Sequence, residues 1–225
     1  MRKGPSMIFQ YPSTLAKLSL VLVLFSLQAC QTAYYNAWEK LGVEKRDLLV
    51  DRVEDARDAQ EDAQEQFSSA LEAFSALVEF DGGELEKMYN SLNSEYDDSA
   101  DAAEKVSDRI DRIDSVANAL FKEWENELSE FSNPRYKADS QKQLRDTESR
   151  YQNLQKSLRN AEASMQPVLA TMKDNVLRLK HMLNTNAIGS LDSEYQIIKR
   201  DIDKLINEMN DAIERSNQFI ASMKS

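Results

Sequence analysis

Leu49, Val53, Ala56, Gln60, Ala63, Phe67, Ala70, Phe74 and Leu77 succeed one another at alternating steps of four and three residues. That spacing holds one stripe of an α-helix against a partner and does not fit the two-residue alternation of a strand. Three further segments carry comparable stripes. From about Glu84 to Phe131 the seam is Ala103, Val106, Ile110, Ile113, Ala117, Leu120 and Trp124. Its first part (Leu85, Met88, Leu92) is set apart by Ser94-Glu95-Tyr96-Asp97-Asp98-Ser99, which reads as a kink or a break. From about Arg135 to Asn184 the seam is Leu144, Thr147, Tyr151, Leu154, Leu158, Ala161, Met165, Val168, Met172, Val176, Leu179 and Leu183. Pro167 lies inside that segment and predicts a kink about one turn upstream. The last segment carries Leu191, Tyr195, Ile198, Ile202, Leu205, Met209, Ala212, Ser216, Phe219 and Met223, widened by Ile206, Ile213 and Ile220. A stripe that broad suits a bundle core better than a two-stranded seam.

The breaks between segments are short. Phe80-Asp81-Gly82-Gly83 has turn composition, Ser132-Asn133-Pro134 ends one helix and offers a cap for the next, and Thr185 to Gly189 forms a loop. Ser190 is a candidate N-cap, with Asp192 and Glu194 in the first turn facing the positive end of the helix dipole. Short loops between long helices make neighbours antiparallel. The expected fold is all-α: an elongated up-down-up-down bundle or coiled coil of about four long helices, about 50–70 Å long.

Charge is unevenly divided. Residues 44–79 hold four Lys/Arg against eleven Asp/Glu, residues 84–131 five against fourteen, residues 135–187 ten against five, and residues 190–225 five against seven. Two acidic helices repel over a Debye length of roughly 8–10 Å, and a basic helix beside both relieves the repulsion. The third helix is therefore expected to contact the first as well as its sequence neighbours. The net charge of −11 argues against nucleic acid as a partner, because phosphate contacts need clustered Lys and Arg.

Ahead of the seams lies a different kind of segment. Arg2, Lys3 and Lys17 precede Leu18–Leu27, a ten-residue apolar run too short to cross roughly 30 Å of hydrocarbon as a helix. A short apolar run behind positive charge reads as a secretory signal, with Met1 or Met7 as its start. Cys30, the one cysteine of the chain, follows directly after Leu27, Gln28 and Ala29. The stretch from Leu27 to Cys30 resembles the lipobox of bacterial lipoproteins, with Gln28 departing from the usual small or apolar residue. The resemblance implies cleavage before Cys30 and acylation of its sulfur and of its new amino group. One acyl chain holds a protein marginally, at about 0.8 kcal/mol per buried CH₂, whereas three hold it firmly. Gln31, where aspartate would favour the inner membrane, implies the outer membrane facing the periplasm. Removing residues 1–29 leaves 196 residues of net charge −14. The expected organisation is a signal peptide over 1–29, a membrane-proximal tether over 30–43 and one helical domain over 44–225. In the tether, Tyr34, Tyr35 and Trp38 are candidates for the lipid interface or for covering the open end of the bundle.

Catalytic patterns are hard to find. His181 is the one histidine and sits between Lys180 and Met182 near a helix end. There is no Cys- or His-rich metal spacing, no phosphate loop and no dinucleotide fingerprint. No enzyme activity and no cofactor or metal is expected.

The lipobox, the block YYNAWEKLGVEKRDLLVDRVEDARDAQEDAQEQF and the four-segment helical layout together resemble an uncharacterised family of proteobacterial lipoproteins classed as a domain of unknown function. The resemblance implies an envelope location and no activity. The expected role is structural or interactive: a rod held to a membrane through acylated Cys30 and meeting an unidentified periplasmic protein, with homo-oligomerisation left open. The alternative is a binding or chaperone-like module with an apolar groove around Met165, Met172 and Met182.

Overall fold

The computed structural model describes residues 44–78, 85–185 and 192–224. Four helices occupy them: α1 (Lys45–Val78), α2 (Leu85–Glu127), α3 (Pro134–Thr185) and α4 (Asp192–Lys224). No strand occurs among the described residues. At 1.5 Å per residue, the 34 residues of α1 make a helix of about 50 Å and the 52 of α3 one of about 78 Å.

The helices pack antiparallel and close into a ring. Between α1 and α2, Gln66 donates to Glu95 at 2.8 Å and Arg109 pairs with Asp55 at 3.6 Å. Between α2 and α3, Arg159 meets Asp111 at 2.6 Å. Between α3 and α4, Arg178 pairs with Glu194 and Ser164 donates to Glu208. The ring closes between α4 and α1, where Arg57 donates to Asn217 at 3.3 Å, Gln64 to Asn210 at 3.2 Å, and Lys224 pairs with Glu54 at 2.7 Å.

This order corrects the expected packing of the basic helix. The cross-helix charge pairs seen for α3 run to α2 and α4, its sequence neighbours, while α1 takes cations from Arg109 of α2 and Lys224 of α4. Adjacent antiparallel hairpins put α1 and α3 at opposite corners of the ring. An exposed ion pair is worth about 0–1 kcal/mol, too little to override the connectivity of short loops.

The core is the sum of the four seams. Leu49, Val53, Ala56, Ala63, Phe67, Ala70 and Phe74 of α1 are buried, as are Leu144 through Leu179 at every seam position of α3. In α4, Ile198, Ile202, Leu205, Met209, Ala212, Ser216, Phe219 and Met223 point inward. Each large apolar side chain buried here contributes about 1.5–3 kcal/mol.

Two expectations about α2 change. The stretch from Ser94 to Ser99 is neither kinked out of helix nor broken: α2 runs through it without interruption. Asn93 donates to Asp97 at 2.9 Å and Ser94 to Asp98 at 3.4 Å, one turn apart, so these polar residues support the helix. Towards the other end the seam shifts. Val116, Phe121 and Leu128 are buried, and Leu120 and Trp124 are half-buried. A straight helix drifts about 20° per heptad against a seven-residue repeat, so a seam extrapolated over several heptads lands on the next residue.

α3 starts where the sequence sets it. Asn133 caps the helix, its side-chain oxygen accepting from the Arg135 amide at 2.9 Å, with Pro134 as the first helical residue. Pro167 stays inside a continuous helix on an exposed face. The carbonyl that loses its partner belongs to Ala163, itself exposed, so it is open to solvent.

Candidate functional site

Leu27, Gln28, Ala29 and Cys30, with Tyr34, Tyr35 and Trp38 after them, carry the chemistry that the sequence suggests, and all seven lie outside the described residues. The Ser190 cap and the Leu191 seam position also lie outside them. The end of the bundle to which the preceding chain connects is described, and it has a definite construction. Arg46, in the first turn of α1, donates to the main-chain carbonyl of Met223 in the last turn of α4. Beside them the Trp124 indole donates to Ser140 Oγ at 2.8 Å, tying α2 to α3. Arg46, Trp124, Gln143, Asp146, Arg150 and Met223 border an open depression of about 410 Å³.

Among the described residues, α2 and α3 run on past that depression without the other two helices. About nine residues of α3, from Pro134 to Lys142, stand beyond the first described turn of α1, roughly 13 Å at 1.5 Å per residue. Residues 131–139 are all exposed, including Phe131 at 40% and Tyr136 at 63%.

About three turns further in, a polar cluster clasps α2 to α3. The Tyr151 hydroxyl donates to Asp114 Oδ1 at 2.5 Å, and Gln155 donates to the same oxygen at 2.8 Å. Arg159 reaches three carboxylates: Asp114 at 2.5 Å, Asp111 at 2.6 Å and Glu162 at 2.9 Å. Ser107 donates to Glu162 at 2.6 Å. The Tyr151 ring sits edge-on to Phe121 of α2 at 5.5 Å and to Phe219 of α4 at 6.3 Å, so one side chain joins three helices. Burial, then the Asp114 carboxylate, pushes the Tyr151 phenol above its ordinary value. Burial works against the Arg159 charge, yet the hydrogen bonds it donates to Glu162, Asp111 and Asp114 hold the guanidinium above its usual range.

Residue spacing places Tyr151 on a seam but says nothing of what its hydroxyl meets. A buried tyrosine needs a partner for that hydroxyl, and Asp111 and Asp114, flanking the seam residues Ile110 and Ile113, were the available signal. The chemistry of the cluster is that of a clasp: its donors and acceptors are matched to one another across the helix pair. Arg145, on the same basic helix, is exposed and makes no such contact, and Arg150 donates to Thr147 at 3.1 Å on its own helix. Arg159→Ala is therefore expected to lower stability by about 1 kcal/mol after solvent screening of a side chain 36% exposed. Arg145→Ala should leave the urea midpoint unchanged, and equal midpoints for both variants would contradict the clasp.

A shallow groove of about 520 Å³ lies between α2 and α3 nearer the other end, bordered by Tyr96, Ala100, Glu104, Met165, Leu169 and Lys173. Met165, Met172 and Met182 do not form an exposed methionine surface. They are 0%, 1% and 9% exposed and pack the core, with Met165 also forming part of the groove wall. His181 is exposed near the end of α3. No described helix is long and apolar enough to cross a membrane.

Comparison with known proteins adds a family and no activity. No curated protein and no solved structure matches the chain. A family model described as a protein of unknown function (DUF2959) matches residues 34–223, from the aromatic pair ahead of α1 to the last turn of α4. With so much of the bundle inside the match, the chain belongs to the DUF2959 family of proteins of unknown function.

Proposed function

We propose that this protein is an envelope lipoprotein: a helical rod held to the outer membrane by acyl chains on Cys30, facing the periplasm and presenting its surface to a protein partner in a non-catalytic role. The observation that carries this reading is the Leu27-Gln28-Ala29-Cys30 junction at the end of a short apolar run behind positive charge. The bundle supports it in two ways. Its four seams bury against one another, so the domain needs no further chain to cover its core. Its charged and polar side chains cover the outside of a long antiparallel assembly, a form suited to spacing and contact.

The test is acylation and partition together. Cells expressing the full chain and a Cys30→Ser variant are fed labelled palmitate and fractionated. The wild-type chain is expected to carry label and sediment with membranes, and the variant to lose both. A variant that keeps fatty acid and sediments unchanged would refute the anchor. A second reading, a binding module, draws on the groove between α2 and α3. Photocrosslinkers at Asp101 beside that groove and at Ser193 near the far helix ends separate the two: capture from the ends supports a spacer, and capture from the groove alone supports a binding module.

A further inference from the structure

The two ends of the bundle differ in charge far more than composition alone reveals. The antiparallel pairing divides the helices into two halves at similar height. The half containing the α2–α3 turn comprises residues 46–56, 108–133, 134–160 and 212–224, with 14 Lys/Arg against 15 Asp/Glu. The opposite half, residues 57–78, 85–107, 161–185 and 192–211, holds nine against 19. Nearly the whole net charge of the bundle therefore lies in one half.

The near-neutral half is also the one from which α2 and α3 project, and Arg46 opens α1 there. On the solvent face of early α3, Arg135, Lys142, Arg145 and Lys156 lie within one broad stripe at helical spacing, all exposed, with the exposed acids Asp139 and Asp146 one turn from Arg135 and Lys142 along its edge. None of the four makes an ion pair among the described residues. Acids share this end too: Glu125, Glu127 and Glu130 close α2 and its turn, and Asp139 lies between Arg135 and Lys142 on their face of α3. Phe131 and Tyr136, at 40% and 63% exposed, stand at the tip between the two sets.

From these observations we propose that the α2–α3 turn rests on lipid headgroups, with Arg135, Lys137 and Lys142 meeting headgroup phosphates and Phe131 and Tyr136 lying at the interface. This rests on the reading of Cys30 as the acylated residue. Chain geometry and charge both favour this occupant. The sixteen steps from Cys30 to Arg46 span at most about 55 Å, so an anchored Cys30 leaves Arg46 no farther than that from the membrane. An anionic surface repels the opposite half, with its excess of ten acids, and is nearly neutral toward this one. Aromatic side chains with a polar tip favour the boundary between headgroup and hydrocarbon. The rod then stands on its α2–α3 turn with its acidic half held away from the membrane.

The experiment uses the acylated full chain in vesicles of phosphatidylethanolamine and phosphatidylglycerol, with acylation of Cys30 checked by mass spectrometry. Acylation occupies the native sulfur, so a fluorophore is attached at Ser132→Cys in one sample and Ala76→Cys in another, both exposed sites. Energy transfer to acceptors on the headgroups is read for each. Transfer from 132 is expected to exceed that from 76 by about fivefold, because the helices separate the two sites by more than about 50 Å. Equal transfer from both sites on an acylated chain overturns the standing arrangement and leaves the anchor intact, whereas a chain without acyl groups overturns both. Combining Arg135→Glu, Lys137→Glu and Lys142→Glu is expected to reduce transfer from 132 about twofold in these vesicles and not in purely zwitterionic ones. Unchanged transfer in a variant with an unchanged melting temperature overturns the phosphate contact.

Discussion

Tyr151→Ala is expected to lower the unfolding free energy by about 3–5 kcal/mol, the usual cost of deleting a large buried ring. Tyr151 is 6% exposed and touches both Phe121 and Phe219, so its removal empties the point where α2, α3 and α4 meet. In a domain of this size each kcal/mol moves the melting temperature by roughly 2–4 °C, so the shift should exceed about 6 °C. Tyr151→Phe keeps the ring and removes the hydroxyl that donates to Asp114. Gln155 and Arg159 still serve that carboxylate, so the loss should be about 1–1.5 kcal/mol.

The same pair of variants gives a signature in pH. The folded phenol titrates above its ordinary value of 10, first through burial and then through Asp114. The folded state thus favours the protonated ring, and this part of the stability is fully present below pH 10. As pH rises further the unfolded chain loses its proton and the folded one does not, so the contribution declines until the folded value is passed. Urea unfolding of wild type and Tyr151→Phe at pH 8 and pH 11 should show the difference between them shrinking at the higher pH. A constant difference would mean that burial and Asp114 do not govern this hydroxyl.

Gln60→Leu is expected to act in the opposite direction. Gln60 occupies a seam position of α1, is 0% exposed, and neither its amide nitrogen nor its oxygen has a hydrogen-bond partner. A buried polar group without a partner costs about 1–3 kcal/mol, and a leucine of similar size removes that cost. The variant should melt about 2–12 °C higher. A single polar residue on a helical seam also fixes register, because slipped arrangements bury it worse. The gain in stability should therefore come with a less sharply defined bundle, seen as broadened methyl resonances of neighbouring core residues. A lower melting temperature would show that the amide is satisfied in solution.

Much of this fold is written in residue spacing. The stripes in the first, third and fourth segments predicted the buried faces of α1, α3 and α4 almost residue by residue, because every-seven patterns translate directly into a helix face. Asn133 and Pro134 announced the start of α3 because a cap and a proline act within one turn. What spacing does not carry is the pairing of faces that are not in the seam. Charge totals per segment suggested that the basic helix would seek the first one, yet the short loops had already set the ring order. Arg159, Asp111 and Asp114 sit on seam flanks, and which flank meets which depends on rotation about the helix axes, a quantity that drifts by tens of degrees over forty residues. For the same reason the end of α2 uses Phe121 where the repeat pointed to Leu120.

Because Arg46 reaches the Met223 carbonyl, the bundle's first and last turns are neighbours, and the four helices form a cycle that the chain opens at one place. Packing is indifferent to where that opening falls. A gene permuted to begin at α2, with α4 joined to α1 by a short linker, would preserve each pairing around the ring. A segment placed ahead of α2 would then join the bundle at its acidic end instead of its near-neutral one. Which end of the bundle the preceding chain meets is a matter of gene order, which the helix contacts neither impose nor oppose.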